Sequence, residues 1–247
     1  MKIFNLFFKS KARMKTNLNS KPFCVCEHDT IIVSNDMQKL LTKLFSLKKE
    51  CLEVCNKNFK ACDGKFFYID FLSMAVLNRA ISNIEGYSTM IQKDNYYLLN
   101  SILRLQLDTM LRFFSLNISN NPFDTAKKIL SGERLDKIKD KDNKKMLDKY
   151  LCESFEKYEN VNWVKRVYDA TSGFIHLSKK HILCCFTDKR ELDDNGFLHT
   201  GIVIGERSGI NIPEEIKIES TECMICVTEI LLKYVKKWNS YKESLNA

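Results

Sequence analysis

Three side chains capable of acid–base or hydrogen-bonding chemistry recur at intervals of four residues in one apolar stretch. They are Tyr168, Ser172 and His176, within the run YDATSGFIHLSKKH. An α-helix turns about every 3.6 residues, so this spacing predicts that the three share one helical face. Because burying a phenol, a hydroxyl and an imidazole without partners costs free energy, the stripe indicates either a functional site or a structural hydrogen-bonded network.

A second polar group lies in the strongly apolar run 95–117, which has a helical pattern. Arg104, Asp108 and Arg112 follow one another at intervals of four, so Asp108 can pair with either arginine. One interpretation is an ion network that holds helices in register. The other is an arginine pair available for phosphate, since a guanidinium is always charged and binds phosphate with two donors.

Metal-independent cleavage of RNA is one chemistry that these residues could perform. It needs a base for the ribose 2′-OH and cationic donors for the scissile phosphate. His176 suits the first role, because the charge of an imidazole changes near neutral pH. Arg104 and Arg112 suit the second role. Ser172 and Tyr168 could orient the imidazole or donate to the phosphate.

These roles require the helix over 95–117 to pack beside a helix that the apolar spacing predicts over 160–186. The alternative for His176 is a core histidine that hydrogen-bonds a neighbouring helix. A Ser/His/acid hydrolase is disfavoured, because the chain has no GxSxG motif. Metal-dependent hydrolysis is also disfavoured, since His176 and His181 are five positions apart and no HExxH arrangement occurs.

Composition favours a mainly α fold, with the helices packed as a bundle. The chain has 247 residues, 45% of them hydrophobic, which is enough for one sizeable domain or a domain with an appendage. It contains only 8 Gly and 3 Pro. Because all-β folds need many turns and usually more of both residues, the low counts favour helices.

The order of patterns along the chain predicts a basic N-terminal arm over 1–22 and a single helical domain over 23–247. Residues 190–212 alternate β-branched residues between turn signals, which predicts a small β-hairpin insertion. Residues 132–149 are dense in both signs of charge and predict a solvated helix or mobile connector without a site. Helices are predicted from Ser34 to Asp63-Gly64, from about Asp70 to Gln92, and over 95–117, 122–131, 160–186 and 214–241.

Charge is concentrated at the N-terminus. Residues 1–22 hold six basic side chains and no acid, which leaves only two of the eight net positive charges for the rest. The arm is expected to be a solvated, disordered terminus, with a contact to RNA or a membrane surface as the alternative. No run approaches the roughly 20 apolar residues of a spanning helix, so we expect no membrane span and a cytoplasmic protein.

Cysteine usage adds one candidate metal site. Most of the 10 cysteines lie in helical patterns, where they are expected to act as small buried thiols in a reducing compartment. Cys24, Cys26 and His28 alternate in an extended pattern, which would place them on one side of a strand. A structural zinc site normally needs a fourth ligand and CxxC-type spacing, and neither follows nearby. We therefore expect no cofactor, and a zinc-dependent regulator remains a third hypothesis.

The pairing of an LRLQLDTMLRFF helix with a later YDATSGFIHLSKKH helix resembles the HEPN-like helical families of bacterial toxin–antitoxin, abortive-infection and other defence systems. The resemblance covers residues 70–240 in outline, through the order of helices and the helix of Ser172 and His176. It implies a helical bundle, a homodimer, and metal-independent RNA cleavage by an arginine and a histidine at the dimer cleft. Arg166 and His176 have nine residues between them, more than in the family motif. The arginine would therefore come from Arg104 or Arg112.

Two functions follow from the residues and the resemblance. The first is an endoribonuclease or effector of bacterial defence that acts on RNA, with His176 as acid and base and with Arg104 and Arg112 on phosphate. The second is a non-enzymatic helical sensor or partner-binding module of a defence system, whose partner would be another protein of that system. An exposed His176 in a cleft beside an arginine favours the first, and a buried, fully paired network favours the second.

Overall fold

The protein is mainly helical, in a computed structural model that describes residues 13–14, 33–192, 194, 197–202 and 212–245. Short 3-10 helices cover Ala61–Gly64 and Leu135–Lys137. The described strands are β1 (Arg13–Met14), β2 (Phe186–Leu192) and β3 (Phe197–Ile202). The described α-helices are α1 (Asn35–Lys60), α2 (Tyr68–Gln92), α3 (Tyr96–Ile118), α4 (Pro122–Leu130), α5 (Asp148–Glu159), α6 (Val164–Ile175), α7 (Lys179–Cys184) and α8 (Glu214–Ser244).

Polar side chains set the starts of three helices. The side chain of Ser34 accepts a hydrogen bond from the Met37 backbone N–H at 3.2 Å and caps α1. Asn95 caps α3, and Asn121 caps α4 immediately before a proline. These caps satisfy backbone N–H groups that have no carbonyl within the helix to bond, so they fix where each helix begins.

α3 lies at the centre of the bundle, packed against α2, α8, α6, α5 and α4. Its buried side chains point to several sides of the helix, as expected when a helix has neighbours all around it. Burying each large apolar side chain contributes about 1.5–3 kcal/mol. The bundle therefore depends on α3, which also carries Arg104, Asp108 and Arg112. Its buried apolar residues include Leu103, Leu107, Met110, Phe113 and Phe114.

A chain of buried amide and hydroxyl groups links the three main helices around the core. Asn83 Nδ2 on α2 donates to Gln106 Oε1 on α3 at 2.9 Å. Gln106 Nε2 in turn donates to Thr228 Oγ1 on α8 at 3.0 Å. Because an unpaired buried amide is costly, these bonds favour one register of α2, α3 and α8 over others.

A fully buried ion pair closes one end of the bundle. Lys242 Nζ on α8 lies 3.0 Å from Asp70 Oδ2 on α2, and neither side chain is exposed at all. The other carboxylate oxygen, Asp70 Oδ1, accepts from Asn58 Nδ2 at 2.9 Å and from Trp238 Nε1 at 2.6 Å. Asn58 Nδ2 also donates to Asn239 Oδ1 at 2.7 Å. We call Asn58, Asp70, Trp238, Asn239 and Lys242 the Asp70 cluster.

The single helix predicted over 160–186 is wrong, because the chain forms α6 and α7 with a break between them. After α6 ends at Ile175, His176 has extended backbone, with φ −111° and ψ 143°. Ser178 Oγ donates to the Gly173 carbonyl at 2.6 Å and so satisfies a group at the end of α6. A Cβ on Gly173 would lie 2.8 Å from Lys180 Cδ, so the turn packs closely on this glycine.

The charged segment over 132–149 is more ordered than the predicted solvated helix or mobile connector. It contains the second 3-10 helix and an isolated β-bridge between Lys139 and Lys145. Its centre is Asp140, which is buried and accepts hydrogen bonds from the backbone N–H groups of Asp142 at 2.9 Å and Lys144 at 2.8 Å. The Tyr150 hydroxyl also donates to Asp140. The Asp140 carboxylate therefore accepts hydrogen bonds from loop backbone N–H groups, in place of the carbonyl groups that a helix or sheet would provide.

β2 and β3 pair antiparallel, and β1 pairs parallel with β3. The hairpin insertion predicted near 190–212 extends over residues outside the described part of the chain and stays a prediction. The rest of the basic arm, and the candidate metal ligands Cys24, Cys26 and His28, also lie outside it. Among the described helices, none combines the length and the apolar character needed to cross a membrane.

Candidate functional site

α3 and α6 pack side by side, as the predicted site requires. Their contact brings together Arg104, Asp108 and Arg112 of α3 with Tyr168 of α6. A fifth residue, Asp148, joins them from the first turn of α5. We call these five residues the arginine cluster. It contains four of the six predicted site residues, and Ser172 and His176 are placed differently.

Arg104 is the buried member of the cluster, with only 5% of its surface exposed. Its guanidinium lies over the Tyr168 ring, 3.7 Å from the ring centroid, and one terminal nitrogen forms an ion pair with Asp108. Arg104 Nε has no hydrogen-bonding partner among the described residues. Since a buried donor normally has a partner, Arg104 is held in place but is not fully satisfied.

Asp148 is the residue on which the remaining donors converge. Its carboxylate oxygens lie 3.9 Å from Arg104 Nη2 and 3.6 Å from Arg112 Nη2, and the Tyr168 hydroxyl donates to Asp148 at 3.3 Å. All three distances exceed the roughly 2.7–2.9 Å of a good charge-assisted hydrogen bond. The side chains of Arg112 and Asp148 are 47% and 40% exposed, so this edge of the cluster faces solvent.

Burial keeps the neutral groups of the cluster protonated. It raises the pKa of the Tyr168 phenol, an effect that Arg104 opposes and Asp148 reinforces. Tyr168 is therefore a hydrogen-bond donor near neutral pH. Burial also raises the pKa of the adjacent Cys152 thiol to about 12 although Arg104 favours the thiolate. Because the thiolate is the reactive form, Cys152 is not poised as a nucleophile.

Ser172 does not orient an imidazole. Its hydroxyl donates to the Tyr168 carbonyl at 2.6 Å, one turn back along the same helix. This is the ordinary local bond of a serine within a helix. The hydroxyl is thus used by the backbone of α6, and the predicted stripe of Tyr168, Ser172 and His176 is not continuous.

His176 lies beyond the end of α6, and its side chain is exposed. The prediction that it shares a helical face with Tyr168 is wrong, because α6 ends at Ile175. Tyr168 and Ile175 are about 10 Å apart along the helix axis, at a rise of about 1.5 Å per residue. Within the described part of the chain, the side chain of His176 makes no hydrogen bond. It is available to solvent, but two helical turns from the arginine cluster.

The histidine that the fold does use is His181 in α7. Its ring packs edge-on against Tyr97 with 4.3 Å between centroids, and its Nδ1 accepts from the Ser178 backbone N–H at 3.1 Å. That bond fixes Nδ1 as the acceptor, so any proton of the neutral ring is on Nε2. His181 therefore helps to form the turn after α6, a role that sequence reasoning missed.

Asp148 was also missed, because it lies in a charged segment that predicts no site. Its partners on α3 are 36 and 44 positions earlier, so no local spacing links them. In the described part of the chain, no group of three or more His, Cys, Asp or Glu side chains is placed to hold a metal ion. Cys24, Cys26 and His28 lie outside that part.

Comparisons with known proteins do not assign the chain to a group. No family model matches it, and neither a curated protein nor a solved structure matches it. The resemblance to HEPN-like families therefore stays a prediction from the motifs on α3 and α6.

Proposed function

We propose that this chain is a non-enzymatic helical module of a HEPN-like defence system, acting as a sensor or partner-binding subunit. The observation that carries the proposal is the separation of His176 from the arginines. A general base and the cationic donors for one phosphate must contact neighbouring atoms, within hydrogen-bond reach. Here Arg104 is buried against Asp108 and Tyr168, about two helical turns from the histidine.

The solvent-facing edge of the arginine cluster supports a binding role. A network that served only stability would be expected to pair its donors closely, because incomplete pairing of buried polar groups costs free energy. Arg112 and Asp148 are instead half-exposed and 3.6 Å apart. A ligand with suitably placed acceptors could make shorter bonds at this edge than Asp148 makes.

A second candidate is the metal-independent endoribonuclease that the HEPN-like resemblance implies. The observation in its favour is that His176 is exposed and makes no hydrogen bond among the described residues. An RNA strand carries a phosphate at every nucleotide. The arginine cluster and His176 could therefore contact different phosphates of one strand. The homodimer implied by the resemblance could alternatively place His176 of one copy beside the arginines of another.

An RNA cleavage assay in the presence of a chelator separates the two candidates. The binding-module proposal predicts no cleavage of structured RNA by the wild type or by His176→Ala, with His176→Ala as stable as the wild type because its side chain is exposed. Ser172→Ala serves as the control, because Ser172 lies four positions before His176, near the end of α6, and its hydroxyl bonds only the backbone of that helix. Cleavage by the wild type and Ser172→Ala that is lost in a folded His176→Ala would overturn the proposal in favour of the endoribonuclease.

A further inference from the structure

We propose that the arginine cluster binds a phosphate monoester, that of a free nucleotide or of the 5′ end of an RNA strand, and that Asp148 occupies the site as an internal counter-ion which this phosphate displaces. The inference rests on the proposed binding function and adds to it the chemical class of the ligand. It also assigns a regulatory role to a residue that the sequence patterns left without one.

The arginine cluster has more hydrogen-bond donors than its two carboxylates can accept. Asp108 pairs with one terminal nitrogen of Arg104, and Asp148 is the carboxylate that lies near donors of Arg104, Arg112 and Tyr168 at once. Arg104 Nε has no partner among the described residues. A guanidinium offers five N–H donors in a fixed plane, so the cluster holds more donors than Asp108 and Asp148 can satisfy.

The spacing of the donors around Asp148 fits an anion larger than a carboxylate. Asp148 reaches toward Arg104, Arg112 and Tyr168 at once, and its contacts are all between 3.3 and 3.9 Å. A carboxylate has only two oxygens, and here it does not approach any donor closely. A phosphate monoester has three terminal oxygens and more charge, so it can bond both arginines and the phenol together. This favours phosphate over a second carboxylate, such as that of an acidic peptide.

Asp148 lies at the N-terminus of α5, where its charge remains stabilised after it leaves the arginines. It is in the first turn of α5, where the positive end of the helix dipole stabilises a negative charge. A displaced Asp148 would turn toward solvent while staying near that helix end, so its release costs little. Because Asp148 begins α5, its displacement also changes the contacts of that helix with α3. Phosphate binding would therefore be coupled to the ion-pair contacts that Asp148 makes from α5 to α3.

Calorimetric titration with inorganic phosphate, at constant ionic strength, tests the displacement. Asp148→Asn removes the competing charge and keeps the side-chain size, so we expect it to bind phosphate roughly ten-fold more tightly than the wild type. Asp124→Asn is the matched control, because Asp124 is also in the first turn of a helix and pairs with Lys128 at 2.9 Å. It is expected to bind as the wild type does.

A second substitution locates the binding. Arg112→Ala is expected to abolish phosphate binding both in the wild type and in combination with Asp148→Asn. Equal phosphate affinity of Asp148→Asn and Asp124→Asn would overturn the proposal, as would binding that survives Arg112→Ala. If Asp148→Asn does not fold, the wild type and Arg112→Ala decide the matter, since phosphate binding that requires Arg112 supports the site and any other result refutes it.

Three ligands then identify the source of the phosphate. A nucleoside monophosphate, a short RNA with a 5′-phosphate and the same RNA with a 5′-hydroxyl separate a free nucleotide, a terminal phosphate and a backbone phosphate. Failure of this inference is distinct from failure of the proposed function. RNA cleavage that depends on His176 would contradict the non-enzymatic function even if Arg112 binds phosphate. Absence of phosphate binding would leave the non-enzymatic function standing.

Discussion

The Asp70 cluster and the arginine cluster both place opposite charges between helices, but they differ in how closely those charges are paired. Lys242 and Asp70 are fully buried at 3.0 Å, and both carboxylate oxygens accept further hydrogen bonds from protein groups. In the arginine cluster, Asp148 is 40% exposed and makes only long contacts. The donors of the Asp70 cluster are already paired with protein acceptors. The arginine cluster has donors with which a ligand could form shorter hydrogen bonds.

The closer pairing and deeper burial of the Asp70 cluster indicate a structural role, and the looser pairing of the arginine cluster favours a binding role. This distinction rests on contacts within this chain and not on related proteins. A desolvated ion pair is stable only when hydrogen bonds replace the water that both ions lost, and the Asp70 cluster meets that condition almost completely. Asn58 Oδ1 is its one atom without a partner in the described part of the chain. The arginine cluster keeps one face in solvent, so the bundle does not depend on its perfect pairing.

The largest expected effect is at the Asp70 cluster. Lys242→Ala leaves the Asp70 carboxylate buried without its counter-ion, so we expect the free energy of unfolding to fall by about 3–5 kcal/mol. Urea unfolding followed by circular dichroism measures it. Lys233→Ala is the control, because the Lys233 side chain is 61% exposed and water can replace it beside Glu159, so its loss should cost less than about 1 kcal/mol. Equal losses for the two variants would contradict the structural role.

A smaller effect is expected within the arginine cluster. Arg104→Met keeps the packing volume but leaves the half-buried Asp108 without its partner, so we expect a loss of about 1–3 kcal/mol. Arg112→Met is the comparison, and its half-exposed side chain should cost less than about 1 kcal/mol. The same urea experiment ranks the two. A larger loss for Arg112→Met would show that the exposed edge, not the buried guanidinium, stabilises the fold.

Two substitutions of Tyr168 measure separately its hydrogen bond to Asp148 and its cation–π contact with Arg104. Tyr168→Phe removes only the hydroxyl that donates to Asp148, and the stacking on Arg104 remains, so the expected loss is below about 1 kcal/mol. Tyr168→Leu also removes the cation–π contact, which adds about 1 kcal/mol. Thermal unfolding of both variants gives the difference. If both variants lose equal stability, the stacking contributes nothing and Arg104 is positioned by Asp108 alone.

The smallest effect concerns an ion pair outside both clusters, and it depends on pH. Hydrogen bonds from Lys233 and Tyr234 lower the pKa of Glu159 below its ordinary 4.5. A lowered folded-state pKa stabilises the protein above pH 4.5, and that stabilisation is lost as pH falls through the lower folded value. Glu159→Gln should therefore be slightly less stable than the wild type near pH 7, and the difference should shrink under acid. A difference that grows under acid would contradict this sign.

Local sequence signals predicted most helices well, because caps and apolar spacing act over a few residues. Ser34, Asn95 and Asn121 mark the starts of α1, α3 and α4. The spacing of Arg104, Asp108 and Arg112 predicted that Asp108 could pair with either arginine, and it pairs with Arg104. The break after α6 was not predicted, since it depends on a side-chain bond from Ser178 that ends an otherwise helical pattern.

Contacts between residues far apart in the sequence could not be predicted from these local signals. Asp70 and Lys242 meet because α2 and α8 close the same end of the bundle, although the two residues are 172 positions apart in the sequence (242 − 70). Asp148 joins two arginines from a segment whose composition indicates only solvation. In both cases the relevant information is the packing of helices, which no spacing within one helix contains. The sequence therefore predicted that the helices of Arg104, Arg112 and Tyr168 pack together, and it did not indicate Asp148, which contacts all three side chains.

The most direct test follows both clusters in one nuclear magnetic resonance titration. Isotope-labelled protein is titrated with a short 5′-phosphorylated RNA while the arginine Nε–H and tryptophan Nε1–H signals are recorded. We expect saturable shifts of the Arg104 and Arg112 signals, assigned by substitution, and an unchanged Trp238 signal from the Asp70 cluster. Arginine signals that do not move, or a Trp238 signal that moves with them, would contradict the division between a binding cluster and a structural one.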